Sequence, residues 1–226
     1  MLHSEKRVRI LALIEHCAPP RTIVERATKP PADADYERRL RMWAADCAAR
    51  ALHLIAKHHV DYLEAGQTII AARNFAKDLI HKTHLAQFAT LDSRPKTKGK
   101  RVSFYMASEV KQAAAMTAQA DVHDAARAAA QHACNAIRSA MLATRRDVGK
   151  QWDDELNWQI ERLRAWLSDD EPAEWPISAA DFREIPTSFF FHPAPQTQPA
   201  ESVSFEYGTD GEVFYRKVPT DVSSCR

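Results

Sequence analysis

The alanine-rich stretch from Ala107 to Thr144 reads ASEVKQAAAMTAQADVHDAARAAAQHACNAIRSAMLAT. It holds 15 alanines among 38 residues and contains no glycine or proline. Alanine has the highest intrinsic helix propensity, so this composition predicts helix. One straight helix of this length would measure about 57 Å, which is long for a domain of this size. Because Asp121 is a typical N-cap residue, we predict two helices that meet near residues 119–122.

The positions of the prolines mark where the helical body begins and ends. Four of the 12 prolines fall within residues 19–31, one is Pro95, and seven follow residue 171. Proline disrupts helix interiors, so the regions between these groups favour helices. We predict three parts: an N-terminal helical extension (1–34), an alanine-rich helical body (35–170) with a basic loop at 83–104, and a tail rich in proline and aromatic residues (171–226).

Hydrophobic residues recur every three or four positions and predict about six helices. The predicted helices run from Ser4 to Cys17, from near Asp35 to the His58–His59 pair, from about Glu64 to Ile80, over the two parts of the alanine-rich stretch, and from Gln151 to Ser168. Within the basic loop, Val102–Tyr105 is predicted as a brief extended piece.

Residues 202–216 of the tail have the pattern of a β-hairpin. Two runs rich in β-branched and aromatic residues flank the turn Gly208–Gly211. Because an isolated hairpin is marginally stable in water, its aromatic face is expected to pack on the helical body, with Phe189–Phe191 as a second anchor. The predicted fold class is therefore all-α, a bundle of about six helices with an appended short β-hairpin at the C-terminal end.

The composition is that of a folded globular chain, with 45% hydrophobic and 27% charged residues. No apolar run approaches the roughly 20 residues that span a bilayer, so no membrane contact is expected. The N-terminal residues show no secretory signal, and we therefore expect a cytoplasmic protein. The four cysteines form no Cys-x-x-Cys pair, and we expect Cys47 and Cys134 to act as small buried hydrophobes.

A net charge of +1 hides an uneven distribution along the chain. Residues 1–149 hold 24 lysines and arginines against 15 acidic residues, whereas residues 150–226 hold 7 against 15. Either the two parts dock on each other, or they form two oppositely charged recognition surfaces. The second alternative predicts a partner-binding acidic surface made of Asp153, Asp154, Glu155, Asp169, Asp170, Glu171 and Glu174.

The basic loop suggests a second kind of contact. Five cations lie within eight residues: Arg94, Lys96, Lys98, Lys100 and Arg101. Such a loop would contact phosphates without reading sequence, and Phe104 and Tyr105 would stack on bases. A solvated charged loop is the alternative, and a pI of 7.8 lies below that of strongly basic nucleic-acid-binding domains.

The chain lacks the motifs of the common catalytic sites. With five glycines it has no Gly-x-Ser-x-Gly elbow and no phosphate-cradling loop, so we expect no enzyme activity and no cofactor. His81 and His84, and the group His58-His59-x-Asp61, do not match a zinc spacing, and we expect no metal. Asp46 and Arg50 lie four residues apart in a predicted helix, where they are expected to form a structural salt bridge.

Two segments carry a resemblance to a known family. They are Trp43-Ala44-Ala45-Asp46-Cys47-Ala48-Ala49-Arg50-Ala51-Leu52 and Ala125-Ala126-Arg127-Ala128-Ala129-Ala130-Gln131-His132-Ala133-Cys134. Over residues 36–168 the chain resembles the Imm-5-like family of bacterial immunity proteins. The resemblance implies an all-α fold, and it implies binding and neutralisation of a cognate toxin instead of catalysis.

These observations lead to three functional hypotheses. The first is a non-catalytic protein-binding inhibitor, either an immunity protein against a toxin or a mobile-element inhibitor of a defence protein. The second is a nucleic-acid-binding accessory protein that acts through the basic loop. An enzyme, the third, rests on Asp46 and the histidines alone. An amphipathic helix and an aromatic hairpin would also permit a homodimer.

Overall fold

The computed structural model describes residues 2–16, 18–30, 33–96, 101–144, 148–177, 203–207 and 213–217. The chain divides into two compact units, Met1–Phe191 and His192–Arg226. In the first unit every regular element among the described residues is helical. The elements are α1 (Leu2–Glu15), α2 (Pro20–Ala27), α3 (Ala34–Leu52), a 3₁₀ turn (His53–Ile55), α4 (His59–Ala76), α5 (Lys82–Phe88), α6 (Arg101–Thr117), α7 (Val122–Thr144) and α8 (Val148–Leu167).

The alanine-rich stretch forms two helices, which confirms the prediction. α6 ends at Thr117 and α7 begins at Val122. The carboxylate of Asp121 accepts hydrogen bonds from the backbone N–H groups of His123 (2.9 Å) and Asp124 (3.1 Å). An aspartate in this position pairs with the N–H groups that a helix start leaves unsatisfied, so α7 begins here as a separate helix.

α3 is the central helix of the first unit. It packs against α4, α6, α7 and α8, and 14 of its 19 residues are buried. The indole Nε1 of Trp43 donates to the backbone carbonyl of Gln159 in α8 at 2.8 Å. Buried alanines lie on α6 and α7: Ala113, Ala114, Ala126, Ala129 and Ala133. Because an alanine side chain ends at one methyl group, these helices pack closely around α3.

The predicted loop 83–104 is too long. The structure has α5 at its beginning, and Val102–Tyr105 lies in α6 instead of being extended. In α5 one side chain, Leu85, is buried, in a small apolar cluster with three alanines. One buried residue in a seven-residue helix produces no periodic pattern, so tertiary packing defines this helix.

The boundary predicted at His58–His59 is also wrong. α3 ends at Leu52, and α4 begins at His59 instead of near Glu64. Ile55 in the 3₁₀ turn and Tyr62 in the first turn of α4 are both buried. The apolar pattern therefore continues across the break and conceals it.

Two cysteines of the first unit are buried free thiols, as the sequence predicts for Cys47 and Cys134. Burial raises the pKa of Cys134 to about 12, and it raises the pKa of Cys47 well above its ordinary value. Cys17 and Cys225 lie outside the described residues. Across the described segments, the helices all fall short of the length and apolar character that crossing a membrane requires.

The second unit contains two strands, β1 (Val203–Tyr207) and β2 (Val213–Lys217). They pair antiparallel, with Phe205 opposite Tyr215. That a hairpin packs on the helical body stays a prediction, and Phe189–Phe191 lies outside the described residues.

Candidate functional site

Asp46 lies at the centre of a buried network of charged and aromatic side chains. Its side chain has no exposed surface. Oδ1 accepts hydrogen bonds from Arg73 Nη2 in α4 (2.7 Å) and from the backbone N–H of Trp175 (3.0 Å). Oδ2 accepts from Arg162 Nε (2.6 Å) and Trp166 Nε1 (2.8 Å) in α8. One carboxylate therefore joins α3, α4, α8 and the segment that follows α8.

The predicted salt bridge between Asp46 and Arg50 is wrong. Arg50 Nε instead donates to Glu155 Oε2 in α8 at 2.7 Å. A carboxylate offers about four lone-pair positions, and donors from α4, α8 and Trp175 occupy those of Asp46. Arg50, on the same helix, does not bind Asp46, because the helices around α3 supply buried donors to this carboxylate.

Glu155 is a buried residue and does not belong to an acidic surface. Its side chain is 2% exposed and also accepts a hydrogen bond from Gln159 Nε2 at 3.2 Å. Burial raises the pKa of Glu155 above its ordinary value, although the Arg50 guanidinium opposes this change. The same guanidinium lies 4.2 Å above the ring of Trp158 and 5.4 Å from the ring of Trp175.

Residues 168–177, which we call the strap, run from the end of α8 across the helices. Asp169 pairs with Arg7 at 2.5 Å. Glu171 accepts two hydrogen bonds from Arg38, and its Oε1 lies 3.3 Å from Arg39 Nη2. Glu174 pairs with Arg73 and Lys77. Three acidic residues of the predicted partner-binding surface thus form ion pairs with cations of the same chain, as the internal-docking alternative for the charge split requires.

Arginines also bind backbone carbonyls of the strap and of the end of α8. Arg39 Nη1 donates to the carbonyls of Trp166 and Ser168, both at 2.9 Å. Arg73 Nη2 donates to the carbonyl of Trp175 at 2.8 Å, and Arg162 donates to that of Ala173. Cations at a helix C-terminus compensate its unpaired carbonyls, so these contacts both end α8 and hold the strap.

The remaining acidic residues are exposed. In the described part of the chain, Asp153, Asp154 and Asp170 make no ion pair, and all three are exposed. Asp153 and Asp154 share the outward face of α8 with Asn157 and Glu161, which are also exposed. The predicted acidic surface is therefore reduced to this face and Asp170.

The base of the basic loop is held by a second buried network. Lys111 in α6 has no exposed surface, and its Nζ donates to Asp61 Oδ1 (3.1 Å), Glu64 Oε2 (3.0 Å) and the carbonyl of Arg94 (3.0 Å). The backbone N–H of Lys96 donates to Asp61 Oδ1 at 2.9 Å. These bonds fix the chain at Arg94 and Lys96 against α4 and α6.

Of the five cations predicted to contact nucleic acid, Arg94 and Lys96 have side chains that the structure describes. Arg94 is exposed, while Lys96 Nζ pairs with Glu64. Lys98 and Lys100 lie outside the described residues, and the backbone of Arg101 begins α6. Phe104 and Tyr105, in the next turn, are 42% and 51% exposed.

One of the histidines considered for a metal site, His81, has a local structural role. The side chain of His81 caps the start of α5, and Asp61, beside the His58–His59 pair, is bound to Lys111. No cluster of three or more histidine, cysteine or acidic side chains that could hold a metal occurs among the described residues.

Most ion-pair partners of the buried charges could not be predicted from the sequence. Arg73 and Arg162 are far from Asp46 in sequence, and no pattern connects them. A signal did exist for Lys111, because it lies four residues after Ala107 and three before Ala114 and therefore on the apolar face of its helix. A lysine in that position predicts a buried carboxylate partner.

Acidification is expected to loosen the strap through Glu171. The hydrogen bonds from Arg38 hold the pKa of Glu171 below its ordinary value, with the charges of Arg38 and Arg39 adding to this effect and Asp35 opposing it. A group with a lowered folded-state pKa contributes stability above its unfolded pKa of about 4.3 and loses it as the pH falls through the folded value. Hydrogen exchange of the Trp175 N–H, corrected for its intrinsic rate, should show full protection near pH 5 and reduced protection near pH 3. Equal protection at both would contradict this, and Glu171→Gln should weaken the pH dependence.

The fold and the site define an all-helical body with two buried charge networks, one under the strap and one at the base of the basic loop. No family model matches this chain, and no significant match exists among curated proteins or solved structures.

Proposed function

We propose that the chain is a non-catalytic protein-binding inhibitor, either an immunity protein that neutralises a toxin or an inhibitor of a defence protein carried by a mobile element. The observation that carries the proposal is the outward face of α8. Asp153 and Asp154 are exposed there without an ion-pair partner among the described residues, whereas the inward face of the same helix is fully buried at Leu163 and Leu167.

A fixed helix with exposed carboxylates suits binding to a basic protein surface. Complementary charge accelerates association more than it tightens binding. The inward face of α8 is held by Trp166, Gln159 and Arg162, so the helix that carries the carboxylates does not have to be ordered when the partner binds. The class of partner that fits is a nuclease or another protein with a positively charged cleft.

The buried carboxylates support a binding role instead of a catalytic one, because each of them is paired with a cation and stabilises the helical body. Asp46 binds two arginines, Glu155 binds Arg50, and Asp61 binds Lys111. We propose further that the protein acts in the cytoplasm and that the two-stranded tail is an appended β-hairpin.

Charge reversal on α8 tests the proposal. The tagged protein is used to capture its partner from cells of its source, and the purified partner is then tested for inhibition and for its association rate. We expect Asp153→Lys/Asp154→Lys to lower the association rate about ten-fold or more near 50 mM salt, with a smaller effect near 300 mM salt. Glu25→Lys, a reversal of an exposed residue on α2, is the matched control and should change little.

An unchanged association rate and salt dependence in the α8 variant would contradict the acidic face as the binding surface. A captured partner whose activity is unaffected by the protein would contradict inhibition.

A nucleic-acid-binding accessory protein is the alternative, and one observation favours it. Phe104 and Tyr105 are exposed at the fourth and fifth positions of α6, directly after the basic stretch. Their rings meet edge to face, with centroids 6.4 Å apart. Exposed aromatic rings beside cations are typical of single-strand binding surfaces. A salt-sensitive shift of short DNA or RNA that is lost when Lys96, Lys98, Lys100 and Arg101 are replaced by alanine would favour this alternative.

A further inference from the structure

The strap lies in a groove of cations. Six side chains, five from four helices and one from the residue that follows α4, contact it, and we call them the cationic groove: Arg7, Arg38, Arg39, Arg73, Lys77 and Arg162. They bind three carboxylates and three backbone carbonyls of the strap. The acidic strap therefore neutralises a strongly positive surface of the helical body.

Four arginines of the groove also have partners outside the strap. Arg73 and Arg162 are held by Asp46, whose bond from Trp166 also comes from a helix. Arg38 and Arg39 are each held by Asp35 of α3. Each of these four arginines therefore has one carboxylate partner that does not belong to the strap.

The strap is held in part by contacts that water can replace. The paired side chain of Asp169 is 97% exposed, that of Glu171 is 38% exposed and that of Glu174 is 31% exposed. Ion pairs that remain open to solvent contribute little and are screened by salt. The carboxylates of the strap are therefore open to competition from another acidic ligand.

An aromatic ring completes the recognition. The ring of Trp175 meets Trp158 edge to face at 5.0 Å, and the Arg50 guanidinium lies close to both rings. The Trp175 N–H also donates to Asp46 Oδ1. A ligand for this groove thus needs carboxylates, an aromatic side chain and a backbone N–H donor. A nucleic acid has no such donor in its backbone, and Asp46 would repel its phosphates.

We propose that the cationic groove is a docking site for an acidic, aromatic segment of a protein partner, and that the strap occupies this site within the same chain. The spacing that the strap displays is Glu171-x-x-Glu174-Trp175. Because the strap is tethered beside the groove, its effective concentration is high, and a partner segment binds well only where the strap is weakened or the segment binds more tightly. The groove is separate from the outward face of α8, so this proposal goes beyond the proposed function and does not rest on it.

A fluorescent peptide of residues 168–177 tests the proposal on the full chain. We expect it to bind Glu171→Gln/Glu174→Gln, whose strap is weakened, about ten-fold or more tightly than the unmodified protein. Replacing the tryptophan of the peptide by alanine should weaken this binding about ten-fold, and adding Arg38→Gln to the protein should weaken it about five-fold. Adding Arg164→Gln instead, at an exposed arginine whose ion pair is with Glu161, should leave binding unchanged.

Helical circular dichroism checks that each variant is folded. If the double variant is unfolded, Glu171→Gln alone replaces it, with an expected gain of about three-fold. Absence of peptide binding to a folded variant with a weakened strap would overturn the proposal. So would binding that is insensitive to Arg38→Gln, or an equally tight complex with a single-stranded oligonucleotide, which would indicate a general polyanion surface.

Discussion

Replacing Asp46 by asparagine should lower the free energy of unfolding by about 3–5 kcal/mol, the usual cost of removing one partner from a buried ion pair. The carboxylate has no exposed surface and compensates the guanidinium groups of both Arg73 and Arg162. The amide of asparagine carries no charge, and its NH₂ group would face N–H donors that it cannot accept from. Arg162 would then remain largely buried without a counter-charge, and Arg73 would keep only Glu174, whose side chain is partly exposed.

Urea denaturation followed by circular dichroism measures this change. Asp153→Asn is the matched control, because Asp153 is an exposed acidic residue of α8, and it should change the unfolding free energy by less than about 0.5 kcal/mol. A loss below about 1 kcal/mol for Asp46→Asn would show that solvent reaches the network and that the buried charge is not its main constraint.

Replacing Lys111 by methionine should lower the free energy of unfolding by about 3 kcal/mol. Methionine preserves the length and much of the volume of the lysine side chain, so the main loss is the ammonium group. That group has no exposed surface, and it binds Asp61 and Glu64 as well as the carbonyl of Arg94. Asp61, which is also fully buried, would lose the cation that compensates it.

A double-mutant cycle with Asp61→Asn separates charge from packing. If the buried charge causes the loss, Lys111→Met/Asp61→Asn should be about 1–2 kcal/mol more stable than additivity of the two single variants predicts. Strict additivity would contradict the ion pair as the cause. The methionine variant should also speed hydrogen exchange of the Lys96 N–H, because the base of the basic loop is held by the same network.

These two replacements have different consequences for function. Asp46 supports the cationic groove and the packing of α8, whereas Lys111 supports the loop that precedes α6. A loss of partner binding in a folded Lys111→Met variant would therefore favour the basic loop as the binding surface. A loss confined to the α8 variants would favour its acidic face.

Local chemistry was sufficient to predict the two helices of the alanine-rich stretch. The alanine content of residues 107–144 predicts helix, and the carboxylate of Asp121 predicts where α7 begins, because both effects act within one or two turns. The prediction was wrong at α5 and at the start of α4. There the helix is defined by contacts such as Leu85 against residues far away in sequence.

The candidate site was much less predictable. Asp46 and Arg50 have the spacing of a helical ion pair, yet each is paired with a residue more than 25 positions away. The acidic residues after α8 had two interpretations, docking within the chain or an exposed recognition surface. The composition of the sequence is the same in both. Which one holds depends on whether arginines of α1, α3 and α4 lie within reach, and that is a property of the packed molecule.

The sequence by itself determined that this chain folds into helices, where the alanine-rich stretch divides, and that its charge is unevenly distributed. These properties follow from backbone propensity, capping and composition, which need no distant partner. Only the tertiary structure decided that Asp46 binds Arg73 and Arg162, that Glu155 is buried, and that the strap covers the cationic groove. The reason is that burial sets the strength of an ionic contact, and burial arises only when distant segments pack together.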